Sequence, residues 1–314
     1  PIAYVSKDLL DLCDKFPDLD LSNEVNNLKK FLKEYSPEED ELKKFIISFV
    51  PWEIYNQRIK IESLKKRLEK CGNLIFTGAP GTGKTYIAKK IAAQMIGCSD
   101  DELEKNEQFG FVQFHPSYDY TDFVEGLRPI KSNKGVDFEL KDGVFKQFCQ
   151  KALESKDKES KDKKKFVFVI DEINRGEMSK IFGELFFSID PGYRSKQGAV
   201  QTQYANMVES KNRFDEKLDN DKKGQFFVPD NVYIIGTMND IDRSVESMDF
   251  ALRRRFAFVE VTAEDSMGML GQLGPKANDA RKSMIALNEA LVSQKKGGLT
   301  YSYQIGGSYF LKLK

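Results

Sequence analysis

The chain has 314 residues, and its 49 basic and 49 acidic side chains cancel to a formal net charge of zero at pH 7. Balanced charge gives no reason to expect a global field that attracts nucleic acid or a membrane surface. The four cysteines form no C-x-x-C pair and the single histidine excludes an H-E-x-x-H zinc site. Because the cysteines are scattered and indicate no disulfide framework, we expect a cytoplasmic protein. No apolar run approaches the ~18 residues of a membrane span, so we expect no membrane partner.

Residues 1–70 are predicted to form a helical segment that leads into the rest of the chain. Apolar side chains such as Val25 and Leu28 recur there at helical spacing, and Pro37 and Pro51 punctuate the pattern. The segment is too short and too charged to be predicted as an independent domain. A first residue of Pro in place of Met indicates a fragment or a processed chain.

A phosphate-binding loop is predicted between a short apolar strand and an amphipathic helix. Residues 74–76 form the strand, and Ile87, Ile91 and Met95 recur at helical spacing after the loop. The loop matches G-x-x-x-x-G-K-[ST] at every fixed position. The predicted nucleotide-binding residues are Gly78, Ala79, Pro80, Gly81, Thr82, Gly83, Lys84, Thr85 and the adjacent Tyr86.

Each residue type in this loop has a physical role. The glycines let the backbone turn its N–H groups toward phosphate oxygens, and the N-terminus of the following helix adds partial positive charge. Lys84 would reach the β- and γ-phosphates, and the Thr85 hydroxyl would bind Mg²⁺. The loop contacts phosphates rather than the base, so it does not distinguish GTP from ATP.

Two later segments show weaker local patterns. Residues 138–148 are predicted to be a hairpin that runs into a helix, with its turn at Asp142 and Gly143. Residues 193–229 are polar and irregular, which predicts a long surface excursion.

Two further apolar strands end in polar side chains. Residues 166–170 form an uninterrupted apolar run, typical of a parallel strand buried on both faces, and Asp171 and Glu172 follow directly. Residues 232–236 form another such strand, and Asn239 follows it closely. Carboxylates and an amide at strand ends beside a phosphate-binding loop indicate a site of phosphate chemistry.

The polar residues at these strand ends have distinct predicted roles. Asp171 would hold the Mg²⁺ shell, through Thr85 or through water, and Glu172 would polarise an attacking water. The Asn239 amide would hold the same water, and Asp242 would assist it. The sequence therefore predicts a hydrolytic site.

A run of three arginines precedes the last predicted strand, residues 256–261. The run lies opposite the nucleotide edge of a parallel sheet, and its three charges need partners. We predict that Arg253 and Arg254 reach the nucleotide of a neighbouring subunit, where an arginine stabilises charge on the γ-phosphate. The alternative is pairing with surface carboxylates such as Asp249, which we also consider for Arg255.

Strands separated by helices, with polar residues at their carboxyl ends, predict an α/β fold with a parallel sheet flanked by helices. This domain would cover residues 71–261. Residues 262–314 are mainly helical with glycine breaks, which predicts a small helical C-terminal lid. We expect that lid to be incomplete at Lys314.

The order of these motifs resembles that of AAA+ NTPases, and their details resemble the McrB branch. The most selective stretch is M-N-D-I-D-R-S at residues 238–244, similar to the M-N-x-x-D-R-S signature of that branch. F-H-P-S-Y at residues 114–118, I-N-R-G at 173–176 and Q-I-G-G-S-Y-F at 304–310 add to it. The resemblance covers roughly residues 70–314.

This resemblance implies a ring motor of a modification-dependent restriction system. It would prefer GTP, use Mg²⁺, assemble as a hexameric homo-oligomer and be stimulated by an McrC-like nuclease subunit. Such subunits usually carry a DNA-recognition domain at the N-terminus, for which residues 1–70 leave no room. We therefore expect DNA to be engaged through the complex rather than through this chain.

Two other interpretations remain open at the level of sequence. One is an ATP-dependent AAA+ remodelling protein of the MoxR or dynein-related kind. The other is a nucleotide-switched assembly scaffold that hydrolyses little by itself, although a pure switch need not retain a water-activating pair such as Glu172 and Asn239.

Overall fold

The computed structural model describes residues 52–132, 135–155, 164–207, 214, 218, 225–241, 253–293 and 298–313. The chain divides after Lys60 into two units, and the site described below belongs to the second, Ile61–Lys314. Most of the predicted N-terminal helical segment lies outside the described residues. No helix within the described ranges is long and apolar enough to cross a membrane.

Five parallel strands form the central sheet. In chain order, the strands within the described residues are β1 (Asn73–Thr77), β2 (Phe109–Gln113), β3 (Glu125–Ser132), β4 (Gly135–Asp142), β5 (Phe166–Asp171), β6 (Val200–Gln201), β7 (Gln225–Phe226), β8 (Val232–Thr237) and β9 (Ala257–Glu260). The central sheet has the order β2-β5-β8-β1-β9. Because its strands are parallel, the segments that follow β1, β5 and β8 all emerge at one edge.

Helices cover both faces of this sheet. Within the described residues they are α1 (Trp52–Cys71), α2 (Lys84–Ile96), α3 (Asp100–Leu103), α4 (Tyr120–Phe123), α5 (Val144–Glu154), α6 (Met178–Phe182) and α7 (Leu185–Ser188). A further helix, α8 (Ala277–Val292), belongs to the C-terminal part of the chain. The predicted α/β fold, a parallel sheet flanked by helices, is confirmed.

Side chains alternate between the two faces of the sheet, because successive residues of a strand point to opposite sides. Ile75 and Phe168 lie in an apolar cluster that includes buried residues of α5, α6 and α7. Phe76 and Val169 lie in a second cluster with buried residues of α1 and α2. Burial on both faces explains why these strands are uninterrupted apolar runs in the sequence.

The hairpin lies earlier in the chain than predicted. Strands β3 and β4 pair antiparallel from Glu125 opposite Asp142 to Ser132 opposite Gly135, so the predicted turn at Asp142 and Gly143 is wrong. Gly143 is instead the N-cap residue of α5. An Asp-Gly pair suits a hairpin turn and a helix start equally, because both need a short polar residue and an unhindered backbone.

Part of residues 193–229 is buried, contrary to the predicted surface excursion. Strands β6 and β7 pair antiparallel there. The ring of Phe214 is fully buried and lies 4.8 Å from that of Phe226 and 5.1 Å from that of Phe227. The prediction is wrong at these residues because isolated buried aromatic residues do not produce the repeat of apolar positions that indicates a helix or a strand.

The described residues after β9 are mainly helical, as predicted for this part of the chain. Helix α8 follows 3₁₀ turns at Glu264–Lys276 and precedes 3₁₀ turns at Tyr301–Tyr303 and Gly307–Leu313. Leu270 and Met284 are buried in an apolar cluster of this part of the chain. It therefore has a small core of its own.

A buried asparagine organises the edge of the sheet opposite the phosphate-binding loop. Asn73, the first residue of β1, donates from Nδ2 to the carbonyls of Ile189 and Arg255 at 2.8 and 2.9 Å. Its Oδ1 accepts from Arg194 at 2.6 Å. The Arg255 guanidinium lies 4.0 Å from the Asp190 carboxylate. These contacts fix the arginine run at the start of β9, on the far side of the sheet from the loop.

A buried ion pair fastens the base of the β3–β4 hairpin to α5. The Lys146 ammonium donates to the Glu125 carboxylate, and the two side chains are only 4% and 0% exposed. Lys146 also lies 2.7 Å from Asp142, and the Tyr204 backbone N–H donates to Glu125 at 3.2 Å. Because a two-stranded hairpin is marginal by itself, this anchor contributes to its stability.

We predict that Lys146→Met destabilises the protein by about 3–5 kcal/mol, because it leaves the Glu125 charge buried without its cation. Urea unfolding followed by circular dichroism measures the change. Lys180→Met is the control, since Lys180 pairs with Glu177 at 2.6 Å while both side chains are well exposed. A change below about 1 kcal/mol is expected there. Equal losses in the two variants would contradict the prediction.

Candidate functional site

The loop between β1 and α2 adopts a backbone that its glycines permit. Gly78 has a φ of 137°, and a Cβ at that position would lie 2.2 Å from the carbonyl oxygen of Val261. Gly83 is the N-cap residue of α2. The positive end of the helix dipole therefore lies at the end of the loop, an arrangement that favours a bound anion.

Lys84 is buried within this loop, and only 6% of the residue is exposed. Its Nζ donates to the carbonyls of Gly78 and Ala79 at 3.0 and 2.7 Å. Burial lowers the pKa of Lys84, although the carboxylates of Asp240 and Glu172 favour its charged form. The Lys84 ammonium therefore lies within the loop, close to the carboxylates of Asp240 and Glu172.

Two hydroxyl groups hold the carboxylate of Asp171. Thr85, in the first turn of α2, donates to Asp171 Oδ1 at 2.7 Å. Thr237, the last residue of β8, donates to the same oxygen at 2.6 Å. The two residues predicted as metal ligands, Thr85 and Asp171, are therefore in direct contact.

The predicted water-activating pair is also in contact. The Asn239 amide donates to Glu172 Oε1 at 2.7 Å. The Arg175 guanidinium lies 3.3 Å from the other carboxylate oxygen, Oε2. The backbone of Glu172 has a φ of 52°, a left-handed conformation that is uncommon for a residue other than glycine. Its carboxylate is directed by the turn that follows β5.

These donors suit a triphosphate with a hard divalent cation. A hydroxyl and a carboxylate are oxygen ligands of the kind that Mg²⁺ prefers, and the loop supplies N–H groups and an ammonium for phosphates. Thr85 and Asp171 would hold the cation. When bound, it would neutralise charge that develops on the transferring phosphoryl group.

The other predicted residues lie outside the described residues, at the opposite edge of the sheet or in an exposed position. Asp242 lies outside the described residues. Arg253 and Arg254 are exposed and precede β9, at the opposite edge. Tyr86 is in the first turn of α2 but 56% exposed, with the Lys90 ammonium 5.5 Å from its ring centre. The edge thus contains the phosphate-binding and carboxylate residues but not these arginines.

The sequence predicted neither a role for Thr237 nor a contact between the C-terminal segment and the phosphate-binding loop. The backbone N–H groups of Gly306 and Ser308 donate to the carbonyls of Pro80 and Gly81 at 3.0 and 3.1 Å. A hydroxyl residue at the end of an apolar strand was the available signal for Thr237. Gly306 belongs to the Q-I-G-G-S-Y-F stretch at residues 304–310, but its contact with the loop depends on tertiary packing that the stretch does not specify.

A model of the AAA domain family, dynein-related subfamily, matches residues 73–256. This range contains the whole phosphate-binding loop, both carboxylates and Asn239. It also includes Arg253 and Arg254.

Two curated relatives are components of restriction enzymes. The chain is 37% identical over 245 residues to the type IV methyl-directed restriction enzyme EcoKMcrB subunit of Escherichia coli strain K12, covering 77% of this chain and 47% of that protein. It is 26% identical over 208 residues to the type II restriction enzyme BsuMI component YdiS of Bacillus subtilis strain 168, covering 59% and 56% respectively. The chain spans about half the length of these relatives. The resemblance to the McrB branch is confirmed.

A solved structure with partial likeness is the S. cerevisiae Hsp104–ADP complex. It is 14% identical, covers 78% of this chain and 32% of that chain, and gives a TM-score of 0.39.

We predict that Lys84→Ala abolishes nucleotide binding, whereas Glu172→Gln binds nucleotide but loses turnover. Lys84 would contact phosphates in the ground state, while Glu172 would act on water as the reaction proceeds, an effect on the order of 10²–10⁴-fold. Fluorescent-nucleotide titration and phosphate release measure the two properties.

Two exposed neighbours serve as controls for this pair of variants. Lys89→Ala removes a lysine from the same helix, and Glu177→Gln neutralises a carboxylate shortly after Glu172. Both controls should bind and hydrolyse nucleotide normally. Normal hydrolysis by the Glu172→Gln protein would require another residue as the base.

Proposed function

The chain belongs to the AAA domain family, dynein-related subfamily, and from that premise we propose that it is the GTP-hydrolysing ring motor of a restriction complex. It is a P-loop nucleoside triphosphatase related to restriction-enzyme subunits. The proposal adds GTP preference, a hexameric ring and stimulation by an McrC-like nuclease subunit. DNA would be translocated and cleaved by the complex.

The contact of Asn239 with Glu172, at 2.7 Å, carries the hydrolytic part of the proposal. It joins the end of β8 to the end of β5, beside the loop that contains Lys84. An amide and a carboxylate in hydrogen-bond contact can hold and polarise one water molecule between them and a phosphate. A scaffold that only switches with nucleotide has no need of this pair, so hydrolysis is the better supported function.

GTP preference rests on the resemblance to the McrB branch, above all on M-N-D-I-D-R-S at residues 238–244. The match to the dynein-related subfamily favours a second candidate, an ATP-dependent remodelling protein. The two candidates share every phosphate-binding residue, because the loop contacts phosphates and not the base. They differ in the nucleotide that they bind and hydrolyse.

We predict that GTP binds more tightly and is turned over faster than ATP at equal Mg²⁺ concentration. Parallel titrations of the purified chain with both nucleotides, at several protein concentrations, measure affinity and turnover. Glu172→Gln protein is the control for contaminating phosphatases. Tighter binding or faster turnover with ATP would favour the remodelling protein instead.

A ring would place the arginines of one subunit against the nucleotide of the next. Arg253 and Arg254 are exposed, and Asn73 holds the adjacent Arg255 carbonyl at the start of β1. The loop follows the other end of β1, roughly 13 Å away at the usual rise of a strand. The two arginines are therefore too far from the phosphate-binding loop of their own chain to contact its nucleotide. They could contact the nucleotide of a neighbouring subunit packed against this edge.

We predict that Arg253→Ala and Arg254→Ala bind nucleotide normally but lose hydrolysis, by up to 10³–10⁵-fold if the arginine acts as those supplied in trans do. Mixing either variant with Lys84→Ala protein should restore part of the activity, because one subunit then donates the arginine and the other the loop. Turnover of the mixture and of each variant alone is measured at equal total protein.

The concentration dependence provides an independent check on action in trans. Wild-type turnover per subunit should rise with protein concentration until the rings are filled. Full activity in a demonstrably monomeric sample, or in the double arginine variant, would contradict the proposal.

A further inference from the structure

Thr237 lies between the two predicted functional carboxylates and the phosphate-binding strand. It ends β8, is 2% exposed, and pairs in register with Phe76 of β1. On the other side of β8, Gly236 pairs with Ile170, the residue that precedes Asp171. Register alone therefore places the Thr237 side chain beside the end of β5.

The single hydroxyl of Thr237 contacts two consecutive residues of the site. It donates to Asp171 Oδ1 at 2.6 Å and accepts from the backbone N–H of Glu172 at 3.3 Å. A threonine hydroxyl has one proton to donate, so its donor is committed to Asp171. Its acceptor contact holds the peptide that joins Asp171 to Glu172.

The contact with Asp171 orients the carboxylate independently of Thr85. Both hydroxyls donate to Oδ1, which leaves Oδ2 as the oxygen without a hydroxyl from either threonine. If Thr85 instead binds a cation, Thr237 still holds Oδ1. The carboxylate would then keep its direction while its other oxygen interacts with the metal shell.

The contact with Glu172 supports a strained backbone. A non-glycine residue at a φ of 52° is strained, and this conformation persists only where its surroundings hold it. The Thr237 oxygen holds the Glu172 N–H, and the Asn239 amide holds the carboxylate of the same residue. Contacts at the backbone N–H and at the carboxylate of Glu172 therefore fix the direction of its side chain.

We propose that Thr237 is a positioning residue that sets the orientation of both Asp171 and Glu172 through one hydroxyl group. This role rests on the proposed hydrolytic function of the site. Thr237 itself would not touch the reacting atoms. Its removal should affect cation-dependent steps and turnover, but leave the contacts between the loop and phosphates in place.

Thr237→Val tests this role, because valine keeps the branched shape and removes the hydroxyl. We expect turnover to fall about 10–100-fold, the usual effect of losing a group that orients a metal ligand. The Mg²⁺ concentration at half-maximal strengthening of nucleotide binding should rise, while affinity without Mg²⁺ stays unchanged. Thr237→Ser keeps the hydroxyl and should restore both properties to within a few fold.

Thr202→Val is the matched control, since Thr202 is also buried, at 5% exposure, and belongs to another part of the chain. It should leave turnover and Mg²⁺ dependence unchanged.

Hydrogen exchange of the Glu172 amide tests the same role without nucleotide or metal. In Thr237→Val, the Glu172 amide should exchange its hydrogen faster than in wild type and in Thr237→Ser, because its acceptor has been removed.

Two results would overturn the role of Thr237. One is wild-type Mg²⁺ dependence and amide exchange in Thr237→Val. The other is equal impairment of Thr237→Ser and Thr237→Val, which would assign the effect to the fit of the side chain at this buried position rather than to its hydroxyl. If the wild-type chain binds nucleotide without hydrolysing it, the proposed hydrolytic function is wrong. The Mg²⁺ concentration at half-maximal strengthening of nucleotide binding and the exchange rate of the Glu172 amide still test the positioning role of Thr237.

Discussion

The hydrogen bond from the Thr85 hydroxyl to Asp171 joins the first turn of α2 to the carboxyl end of β5. It depends on the parallel alignment of β1, β5 and β8, which brings their carboxyl ends to one edge. A slip of one residue in β8 would turn Thr237 to the other face of the sheet. Apolar side chains buried on both faces oppose that slip, because it would exchange the residues of the two cores. Core packing therefore fixes the geometry of the polar edge.

Charge at this edge is unevenly distributed. The Lys84 ammonium interacts with the carboxylates of Asp171, Glu172 and Asp240, and the Arg175 guanidinium pairs with Glu172, so three carboxylates face two cations. Burial lowers the pKa of Lys84 and raises that of Asp240, since both charged forms lose hydration. A triphosphate would add further negative charge to this group. The N-terminus of α2 and the loop N–H groups offset part of that charge, and a divalent cation would offset more. Nucleotide and cation are therefore expected to bind together.

The sequence predicted those functional residues that are neighbours along the chain. The phosphate-binding loop and the Asp171-Glu172 pair are contiguous in the chain, so their residue types and neighbours reveal them. Thr237 is visible in the sequence as a hydroxyl residue at the end of an apolar strand, but its contacts depend on the register of three strands, which a single sequence does not specify. Gly143 was assigned to a turn because capping a helix and reversing a hairpin select the same residue. The burial of Phe214 was not predicted, because a single buried aromatic residue within an irregular segment produces no periodic pattern in the sequence.

The C-terminal part of the chain touches the phosphate-binding loop through main-chain atoms. Gly306 approaches so closely that a Cβ there would lie 2.2 Å from the carbonyl carbon of Gly81. Gly306 and Ser308 donate to the carbonyls of Pro80 and Gly81. A shortened protein cut after the last strand of the sheet would keep every residue of the loop and still lose two of its backbone partners. The smallest piece worth excising for biochemistry therefore extends through the 3₁₀ turns that end at Leu313, well past the sheet itself.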